Sequence, residues 1–215
     1  MNPIRVLVVD DHSVVRNGVC KALQQHASIK IIGEANGGLE ALDWLDKEQP
    51  DVMLLDISMP DLDGLDVAAR VADEFPSVRV IILSSHGDSV RVHRALQSGV
   101  VGYILKDSTD EVVRAVYAVG AGQTYVSTHV LRDPKMGQQR NPRPLEFLAV
   151  LPERQRHVLR LMVAGHDTDA IAQELNVPVT QVEAHRTRLM ARLGVHDMKG
   201  LTQYARRVGL APSAS

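Results

Sequence analysis

The sequence has 215 residues, of which 45% are hydrophobic and 23% charged, and it carries a net charge of -2 at pH 7. This length exceeds the roughly 100 to 150 residues of a typical single domain, so two modest domains are expected. The single cysteine, Cys20, excludes an internal disulfide, and the low aromatic content of 3% argues against stacking on single-stranded nucleic acid. No apolar run approaches the roughly 20 residues that cross a bilayer, so we expect a cytoplasmic protein with no membrane partner.

Five short apolar runs in the first half of the chain are predicted to be β-strands: Ile4–Val9, Ile29–Ile32, Val52–Leu55, Val80–Leu83 and Val100–Leu105. Helical spacing between the runs, as in Val15, Val19 and Leu23, predicts helices that alternate with the strands. Runs that are apolar throughout are typical of strands covered on both faces. The predicted fold is therefore α/β, with a doubly wound, five-stranded parallel sheet in the flavodoxin-like order 2-1-3-4-5.

The alternation of strands and helices ends near Gly122, and the segment from Leu131 to Pro144 is rich in proline and basic residues. Such a composition is typical of an exposed linker. Four short helices are expected after Pro152, and Asn176-Val177-Pro178 separates the second from the third. Because proline is favourable at a first helical position, this pattern is the outline of a helix-turn-helix. The predicted divisions are a first domain of residues 1–125, a linker of residues 126–146 and an all-α domain of residues 147–215.

Charge is divided unevenly between the two predicted domains. Residues 1–125 carry 11 Lys and Arg against 18 Asp and Glu, whereas residues 147–215 carry nine against six. An acidic first domain and a mildly basic second domain indicate different partners, although so small a positive excess is a weak indication of DNA binding.

Polar side chains follow four of the predicted strands. Asp10 and Asp11 follow the first, Asp56 the third, Ser84 the fourth and Lys106 the fifth. In the expected strand order these side chains converge on one crevice. Carboxylates about 4 Å apart repel by roughly 4 kcal/mol per pair at an effective dielectric of about 20. A Mg²⁺ ion with oxygen ligands relieves that repulsion and leaves coordination positions for a phosphoryl oxygen.

Asp56 is the predicted acceptor of a phosphoryl group. A cation, a lysine, a hydroxyl and a carboxylate around one point form a site for phosphoryl transfer to the carboxylate itself. Ser58, in the loop after Asp56, can offer its carbonyl to the metal. Helix capping and loop solvation are the alternative explanation of acidic residues at strand ends. A Mg²⁺ phosphohydrolase is another alternative, but it needs a second carboxylate two positions after the acceptor, where this chain has serine.

Several of these features together resemble the receiver domain of response regulators over about residues 3–122: the Asp10-Asp11 pair, Asp56 followed by MPDLDG, Ser84, and GYILKD at residues 102–107. The resemblance implies that a sensor histidine kinase phosphorylates Asp56. It implies Mg²⁺ on Asp11 and Asp56, with Asp10 as a further candidate ligand. The implied protein is not an enzyme acting on an outside substrate, although a receiver can remove its own phosphoryl group.

The same resemblance assigns roles to three further residues. Ser84 and Lys106 are expected to bind the phosphoryl oxygens, and Tyr103 is the expected aromatic switch, turning inward when Ser84 moves toward the phosphate. Core packing is the alternative role for Tyr103. Asp107 follows the lysine where many receivers have proline, which leaves the geometry of that peptide bond open.

The second domain resembles the LuxR-type helix-turn-helix that follows receivers in the NarL/FixJ family. The resemblance covers about residues 147–210 and is carried by Val158-Leu159, Gly165, Ile171-Ala172, Leu175, Val182, His185-Arg186 and Leu193-Gly194-Val195. It implies that the helix from about Val179 to Leu193 enters the major groove of double-stranded DNA. On this helix Val182, Leu189 and Leu193 are expected to be buried.

The candidate DNA contacts on this helix are Thr180, Gln181, Glu183, Ala184, Arg186, Thr187, Arg188 and Arg192. The first turns are expected to face base edges, and the arginines to meet phosphates. Thr180, Glu183 and Ala184 depart from the family, because basic residues are usual at these positions. Glu183 cannot contact phosphate favourably, but it can accept a hydrogen bond from cytosine N4. Fewer cationic contacts are expected to lower affinity and to flatten its salt dependence.

The favoured hypothesis is a transcription regulator in which phosphorylated Asp56 promotes a homodimer that places two recognition helices on a palindromic site. The rival hypothesis is an interaction protein whose degenerate helix-turn-helix binds a protein or itself. The last helix resembles the family's effector dimer contact, although an ordinary core face explains the same residues: Leu201, Tyr204, Ala205 and Val208. The nine histidines have no metal-ligand spacing near a cysteine, so they are interpreted as surface or packing residues.

Overall fold

The computed structural model of the chain describes residues 2–85, 89–107, 109–127, 130, 153–193 and 195–207. The chain divides into two compact units, Met1–Arg140 and Asn141–Ser215. Within the described residues, no helix has the length and apolar character needed to cross a membrane.

The first unit contains one parallel sheet. Its strands are β1 Ile4–Val9, β2 Ile29–Ala35, β3 Val52–Asp56, β4 Arg79–Ser84, β5 Gly102–Leu105 and β6 Tyr125–Val126. They lie in the order β2-β1-β3-β4-β5-β6, and every neighbouring pair is parallel. The predicted α/β fold and the order of its first five strands are confirmed.

Helices cover the sheet on both faces. They are α1 Ser13–Gln24, α2 Gly38–Leu45, α3 Gly64–Glu74, α4 Ser89–Gln97 and α5 Thr109–Gly120. Alternate residues of β1 enter separate cores: Leu7 and Val9 pack on the side of α2 and α3, whereas Val6 and Val8 pack on the side of α1 and α5. Because both faces are buried, β3 and β4 are apolar except at their ends, and the polar residues at the carboxyl ends of the strands stand out in the sequence.

The short strand β6 is a departure from the predicted five-stranded sheet. Val126 pairs with Tyr103 of β5, and the Ser127 N–H donates to the Tyr103 carbonyl at 2.8 Å. Ser127 and Val130 are buried. The first residues of the predicted 126–146 linker therefore belong to the first unit, and residues 131–146 lie outside the described residues. A two-residue strand is too short to produce a recognisable apolar period.

The second unit packs four described helices around one apolar core. They are α6 Glu153–Val163, α7 Thr168–Leu175, α8 Val179–Leu193 and α9 Met198–Arg207. Asp167 caps α7 by accepting from the Ala170 N–H at 2.8 Å. The helix ends at Asn176 in the left-handed conformation, with φ 51°, which asparagine tolerates better than most residues.

The turn between α7 and α8 completes the helix-turn-helix. The carbonyl of Pro178 accepts from the N–H groups of Gln181 and Val182, so this proline immediately precedes α8 rather than occupying its first position. The predicted bounds of α8, Val179 to Leu193, are confirmed. The recognition-helix candidate is therefore a continuous helix whose start is fixed by the turn.

Candidate functional site

The polar residues after the strands meet at the carboxyl edge of the sheet, as the strand order predicts. Asp10 and Asp56 are almost fully buried, with 0% and 2% of their surface exposed. The Lys106 Nζ atom lies 2.8 Å from Asp10 Oδ2 and 2.8 Å from Asp56 Oδ2. Adjacent strands β1 and β3 carry the two carboxylates, and β5 delivers the lysine. One ammonium group is thus shared by two buried acids.

The pKa of Lys106 reflects this arrangement. Burial lowers the pKa, but hydrogen bonds and charge interactions with Asp10 and Asp56 raise it by more, so the net pKa lies above 10.5. The lysine therefore remains protonated at neutral pH and provides a fixed positive charge beside Asp56.

The donor set of this crevice fits a hard divalent cation. Asp10, Asp11, His12 and Asp56 each offer one ligand atom, and these atoms lie within 4.8 Å of one another. The cluster contains three carboxylates, and Lys106 contacts two of them, so the carboxylates and the lysine together carry an excess of about two negative charges. Mg²⁺ prefers oxygen ligands, and its two positive charges would balance the excess negative charge of this cluster.

His12 is a member of this cluster that sequence reasoning missed. Its Nδ1 atom lies 2.8 Å from Asp11 Oδ1 and 3.5 Å from Asp10 Oδ1. The ring is exposed, as the interpretation of the histidines as surface or packing residues expects, but its contact with the acidic pair was not predicted. The available signal was its place directly after Asp10-Asp11, at the end of a predicted strand.

Ser84 and Tyr103 lie where the sequence predicts. Ser84 ends β4, which is next to the strand of Asp56, and Tyr103 lies on β5, one strand further along the sheet. Asp56 is in register with Leu83, so the buried Ser84 follows one residue later. The Lys106 N–H donates to the Ser84 carbonyl at 2.9 Å, which ties the ends of β4 and β5 together. Tyr103 is fully buried in the sheet core, so its side chain points inward. None of the described peptide bonds is cis.

The loop after Asp56 is held at several points. The Gly64 N–H donates to the Ile57 carbonyl at 2.8 Å. The Asp61 carboxylate accepts from the backbone N–H groups of Gly38 at 3.1 Å and Leu39 at 2.9 Å, which start α2. Ser58 lies exposed within this loop. Asp61 therefore connects the loop that contains Ser58 to a separate helix, a contact that the sequence did not predict.

The pKa of Asp61 is lowered by these backbone contacts. Slight burial raises the pKa, but the N–H groups of Leu39, Gly38 and Leu62 lower it by more, so it lies below the ordinary value of 3.8. The carboxylate is consequently favoured in its charged, hydrogen-bonding form.

The backbone of Asp56 is also approached closely by Gly64. A Cβ atom on Gly64 would lie 2.0 Å from the Asp56 carbonyl oxygen and 2.8 Å from the Ile57 Cα. A side chain there would force the backbone of Asp56 to move. The glycine of the MPDLDG segment is therefore required by the packing of α3 against the end of β3.

The second candidate site is the outer face of α8. Thr180, Glu183 and Thr187 are exposed, and Gln181, Ala184 and Arg186 are partly exposed. These six predicted DNA-contact residues all reach the surface of the unit. The Arg192 side chain lies outside the described residues.

Arg188 is a correction to the predicted contact set. Only 9% of its surface is exposed. The helical period places Arg188 on the inner face with Val182, His185 and Leu189, all of which are buried. The expectation that Arg188 stands on the exposed face is wrong, because its position on the helix is decided by the core-facing residues around it.

The predicted dimer residues of α9 are also corrected. Leu201 and Ala205 are 0% exposed and Tyr204 is 7% exposed. Leu201 and Tyr204 pack in the same core as Val158 of α6. Their alternative role as an ordinary core face is confirmed, and their role as a dimer surface is contradicted. Val208 lies outside the described residues.

Comparison with known proteins decides the family. Residues 6–118 match the response regulator receiver domain, and residues 149–205 match the bacterial regulatory proteins of the luxR family. The chain belongs to the response regulators. The predicted combination of a receiver and a LuxR-type helix-turn-helix is confirmed by these two matches, each of which lies within one of the two units.

Relatives match this response regulator over nearly its full length. The probable transcriptional regulatory protein NarL of Mycobacterium tuberculosis is 38% identical over 95% of this chain and 94% of its own. The response regulator UvrY of Escherichia coli is 32% identical over 96% of this chain and 95% of its own. Such relatives favour a transcriptional regulator over the rival interaction protein.

Solved structures agree with this assignment. The receiver domain of Mycobacterium tuberculosis NarL covers 57% of this response regulator and 100% of that chain, with 41% identity and a TM-score of 0.55. The response regulator RcsB in complex with DNA covers 96% of this chain and 100% of that one, with 25% identity and a TM-score of 0.59.

Proposed function

We propose that this response regulator accepts a phosphoryl group on Asp56 from a sensor histidine kinase and regulates transcription by binding double-stranded DNA through α8. The observation that carries the proposal is the position of Lys106, which lies 2.8 Å from both Asp56 and Asp10. A buried carboxylate beside a fixed ammonium and further acids is a site arranged for transfer of an anionic group.

Asp56 is the preferred acceptor because of its surroundings. Asp10 already accepts the backbone N–H of His12 at 2.8 Å through Oδ1 and meets Lys106 through Oδ2. Asp56 ends the central strand β3, between the strands that provide Asp10 and Ser84. A phosphoryl group on Asp56 therefore comes within reach of polar groups from both neighbouring strands.

The transfer itself needs positioning and charge neutralisation. A carboxylate oxygen of Asp56 attacks phosphorus, the P–N bond of the kinase phosphohistidine breaks, and the imidazole leaves with the bonding electrons. Lys106 and Ser84 then donate hydrogen bonds to the phosphoryl oxygens. Asp10, Asp11 and Asp56, with the Ser58 carbonyl as a further candidate ligand, would hold Mg²⁺. The bound ion would neutralise charge on the transferred group.

The DNA-binding part of the proposal is supported by the outer face of α8 and by the DNA complex of RcsB. The candidate contacts are Thr180, Gln181, Glu183, Ala184, Arg186 and Thr187. The second helix of a helix-turn-helix places its first turns against base edges in the major groove. Phosphorylation is proposed to promote a homodimer, which would align two such helices on a palindromic site.

Genomic DNA capture tests this proposal. Purified protein is incubated with Mg²⁺ and a small acyl phosphate donor, mixed with sheared genomic DNA, and the retained fragments are sequenced. Phosphorylated wild type is expected to enrich fragments that share two related half-sites, and Asp56→Asn treated identically is not. Absence of any enriched sequence would contradict the DNA-binding proposal and favour the protein-interaction hypothesis.

A further inference from the structure

The exposed stripe of α8 is unusual in its charge. Thr180, Glu183 and Thr187 lie three and four residues apart and share one helix face, and all three are exposed. Among the described side chains of α8, Arg188 is buried and Arg186 is the remaining arginine, partly exposed beside the stripe. The centre of the proposed DNA-binding face therefore presents a carboxylate flanked by hydroxyls.

Glu183 has no structural contact that explains its presence on this face. Within the described part of the chain, no hydrogen bond or ion pair engages its side chain. A carboxylate held near DNA is repelled by the phosphates, so it lowers affinity for every sequence unless a base offers it a donor. An exposed acid on this face is therefore best explained by selection among bases.

We propose that Glu183 is a specificity-determining residue that reads a cytosine in each DNA half-site. The inference rests on the proposed function, since it requires α8 in the major groove. Glu183 is the fifth residue of α8, within the first turns that face base edges in helix-turn-helix complexes.

The choice of cytosine follows from the groove edges of the four bases. An ionised carboxylate only accepts hydrogen bonds. In the major groove guanine presents acceptors and thymine an acceptor and a methyl group, so neither offers a donor. Adenine presents a donor beside an acceptor, an edge that suits the amide of Asn or Gln. Cytosine presents its N4 amino group, which carboxylates accept from.

The same reasoning predicts a switch of base preference in a single variant. Glu183→Gln keeps the length of the side chain but gives it a donor as well as an acceptor. Glutamine can pair with both N6 and N7 of adenine. Replacement is therefore expected to change the preferred base at one position of each half-site from cytosine to adenine, which mere loss of charge would not do.

Selection from random DNA libraries tests the inference. Phosphorylated wild type, Glu183→Gln and Glu183→Ala each select bound DNA, which is then sequenced. Wild type is expected to favour cytosine at one half-site position by about tenfold, the glutamine variant to favour adenine there, and the alanine variant to lose the preference. Preferences at other positions are expected to persist in all three proteins.

Glu174→Gln is the matched control, since it removes a carboxylate from the exposed surface of α7 in the same domain. An unchanged base preference in Glu183→Gln, or an equal change in Glu174→Gln, would overturn the role of Glu183 while leaving DNA binding intact. Failure of wild type to select any common sequence would overturn the proposed DNA binding and, with it, the base assignment. Far-ultraviolet circular dichroism confirms that each variant is folded.

Discussion

The ammonium group of Lys106 compensates two carboxylates that the fold removes from water. Asp10 and Asp56 are brought together because β1 and β3 are adjacent. The Lys106 ammonium group lies within 2.8 Å of both carboxylates. Removing one member of such a buried group leaves the others uncompensated, which costs much more than the group contributes as a whole. Lys106 thus has a structural role in addition to its proposed contact with the phosphoryl group.

Lys106→Met is expected to lower the free energy of unfolding by about 3 kcal/mol in metal-free buffer. Added Mg²⁺ is expected to restore more stability to this variant than it adds to wild type, because the cation replaces the lost charge. Urea unfolding with and without Mg²⁺ measures both quantities. Lys21→Met, which removes an exposed lysine of α1, is the control. Equal stabilisation of both proteins by Mg²⁺ would contradict this account.

A second residue-scale prediction concerns Gly64, where an added Cβ atom would lie 2.0 Å from the Asp56 carbonyl oxygen. Gly64→Ala is expected to destabilise the protein by about 1–3 kcal/mol through overpacking, and to slow phosphoryl uptake because the acceptor's backbone must move. Gly18→Ala is the matched control. Gly18 is inside α1, and apart from its chain neighbours and the backbone of α1 no atom lies within 4 Å of a Cβ built there, so the control is expected to stabilise by about 0.5–1 kcal/mol. Thermal unfolding measures the change in stability, and the rate of phosphorylation measures the effect on Asp56. A Gly64→Ala protein that matches wild type in both would contradict the steric requirement for glycine at this position.

The convergence of the residues at the strand ends could be predicted from the sequence, because it depends only on the order of the strands in the sheet. Asp10, Asp56, Ser84 and Lys106 each follow an apolar run, and parallel strands bring their carboxyl ends to one edge. Arg188 could not be predicted in the same way. A charged side chain is ordinarily assigned to the surface. Arg188, however, lies among the buried residues of α8, and its burial becomes clear only when the helices that pack against α8 are in place.

At the scale of secondary-structure elements, the connection between the Asp56 loop and α2 is the feature that sequence analysis could not supply. Asp61 lies 23 residues from Gly38 in the chain, and their hydrogen bond depends on how two loops meet above the sheet. Gly37 permits the approach, since a Cβ there would lie 2.5 Å from Asp61 Oδ2. The contact acts as an N-terminal cap provided by a different segment of the chain.

Asp61→Ala is expected to cost about 1 kcal/mol of stability, the usual loss for a helix cap. The folded-state pKa of Asp61 is lowered from 3.8, so its contribution is complete above that pH and is lost as the pH falls through the folded-state value. The difference from wild type should therefore shrink in acid. Chemical unfolding at a series of pH values measures this, with Asp43→Ala, an exposed acid of α2, as control. A difference that is constant with pH would argue against the cap.

Strand and helix bounds differ in how well the sequence predicts them. β1 and α8 have the predicted bounds. A mainly apolar run extends along β1, and apolar residues at helical spacing extend along α8. β6 has two residues, and its pairing with β5 comes from the neighbouring strand rather than from a local pattern. The role of the apolar face of α9 could not be predicted from a local pattern either. A core face and a dimer face have the same spacing of apolar residues, and only the packing of the second unit shows that this face lies in the core.

At the scale of the whole molecule, the chain combines an acidic unit that holds Asp56, the proposed phosphoacceptor, with a mildly basic unit that holds the helix-turn-helix. This division matches the two proposed tasks, cation-assisted phosphorylation and contact with a polyanion. Among the described side chains of α8, Arg186 is the one arginine that reaches the surface, which predicts that DNA binding depends on salt less steeply than is usual for this class of motif.

Arg186→Ala is expected to weaken binding to all sequences similarly and to reduce the slope of log affinity against log salt by about one for each bound recognition helix. Fluorescence anisotropy with a selected DNA at several salt concentrations gives the slope. Lys199→Ala, which removes an exposed charge from α9, serves as the control. A slope that stays at the wild-type value would show that Arg186 makes no phosphate contact.

Phosphorylation of Asp56 is tested most directly by intact-protein mass spectrometry after incubation with Mg²⁺ and a small acyl phosphate donor. Wild type and Asp66→Asn, which removes an exposed acid from the first turn of α3, are each expected to gain one phosphoryl group that hydroxylamine removes. Asp56→Asn is expected to gain none. Uptake by Asp56→Asn at the wild-type rate, or no uptake by wild type, would contradict the assignment of Asp56 as the acceptor.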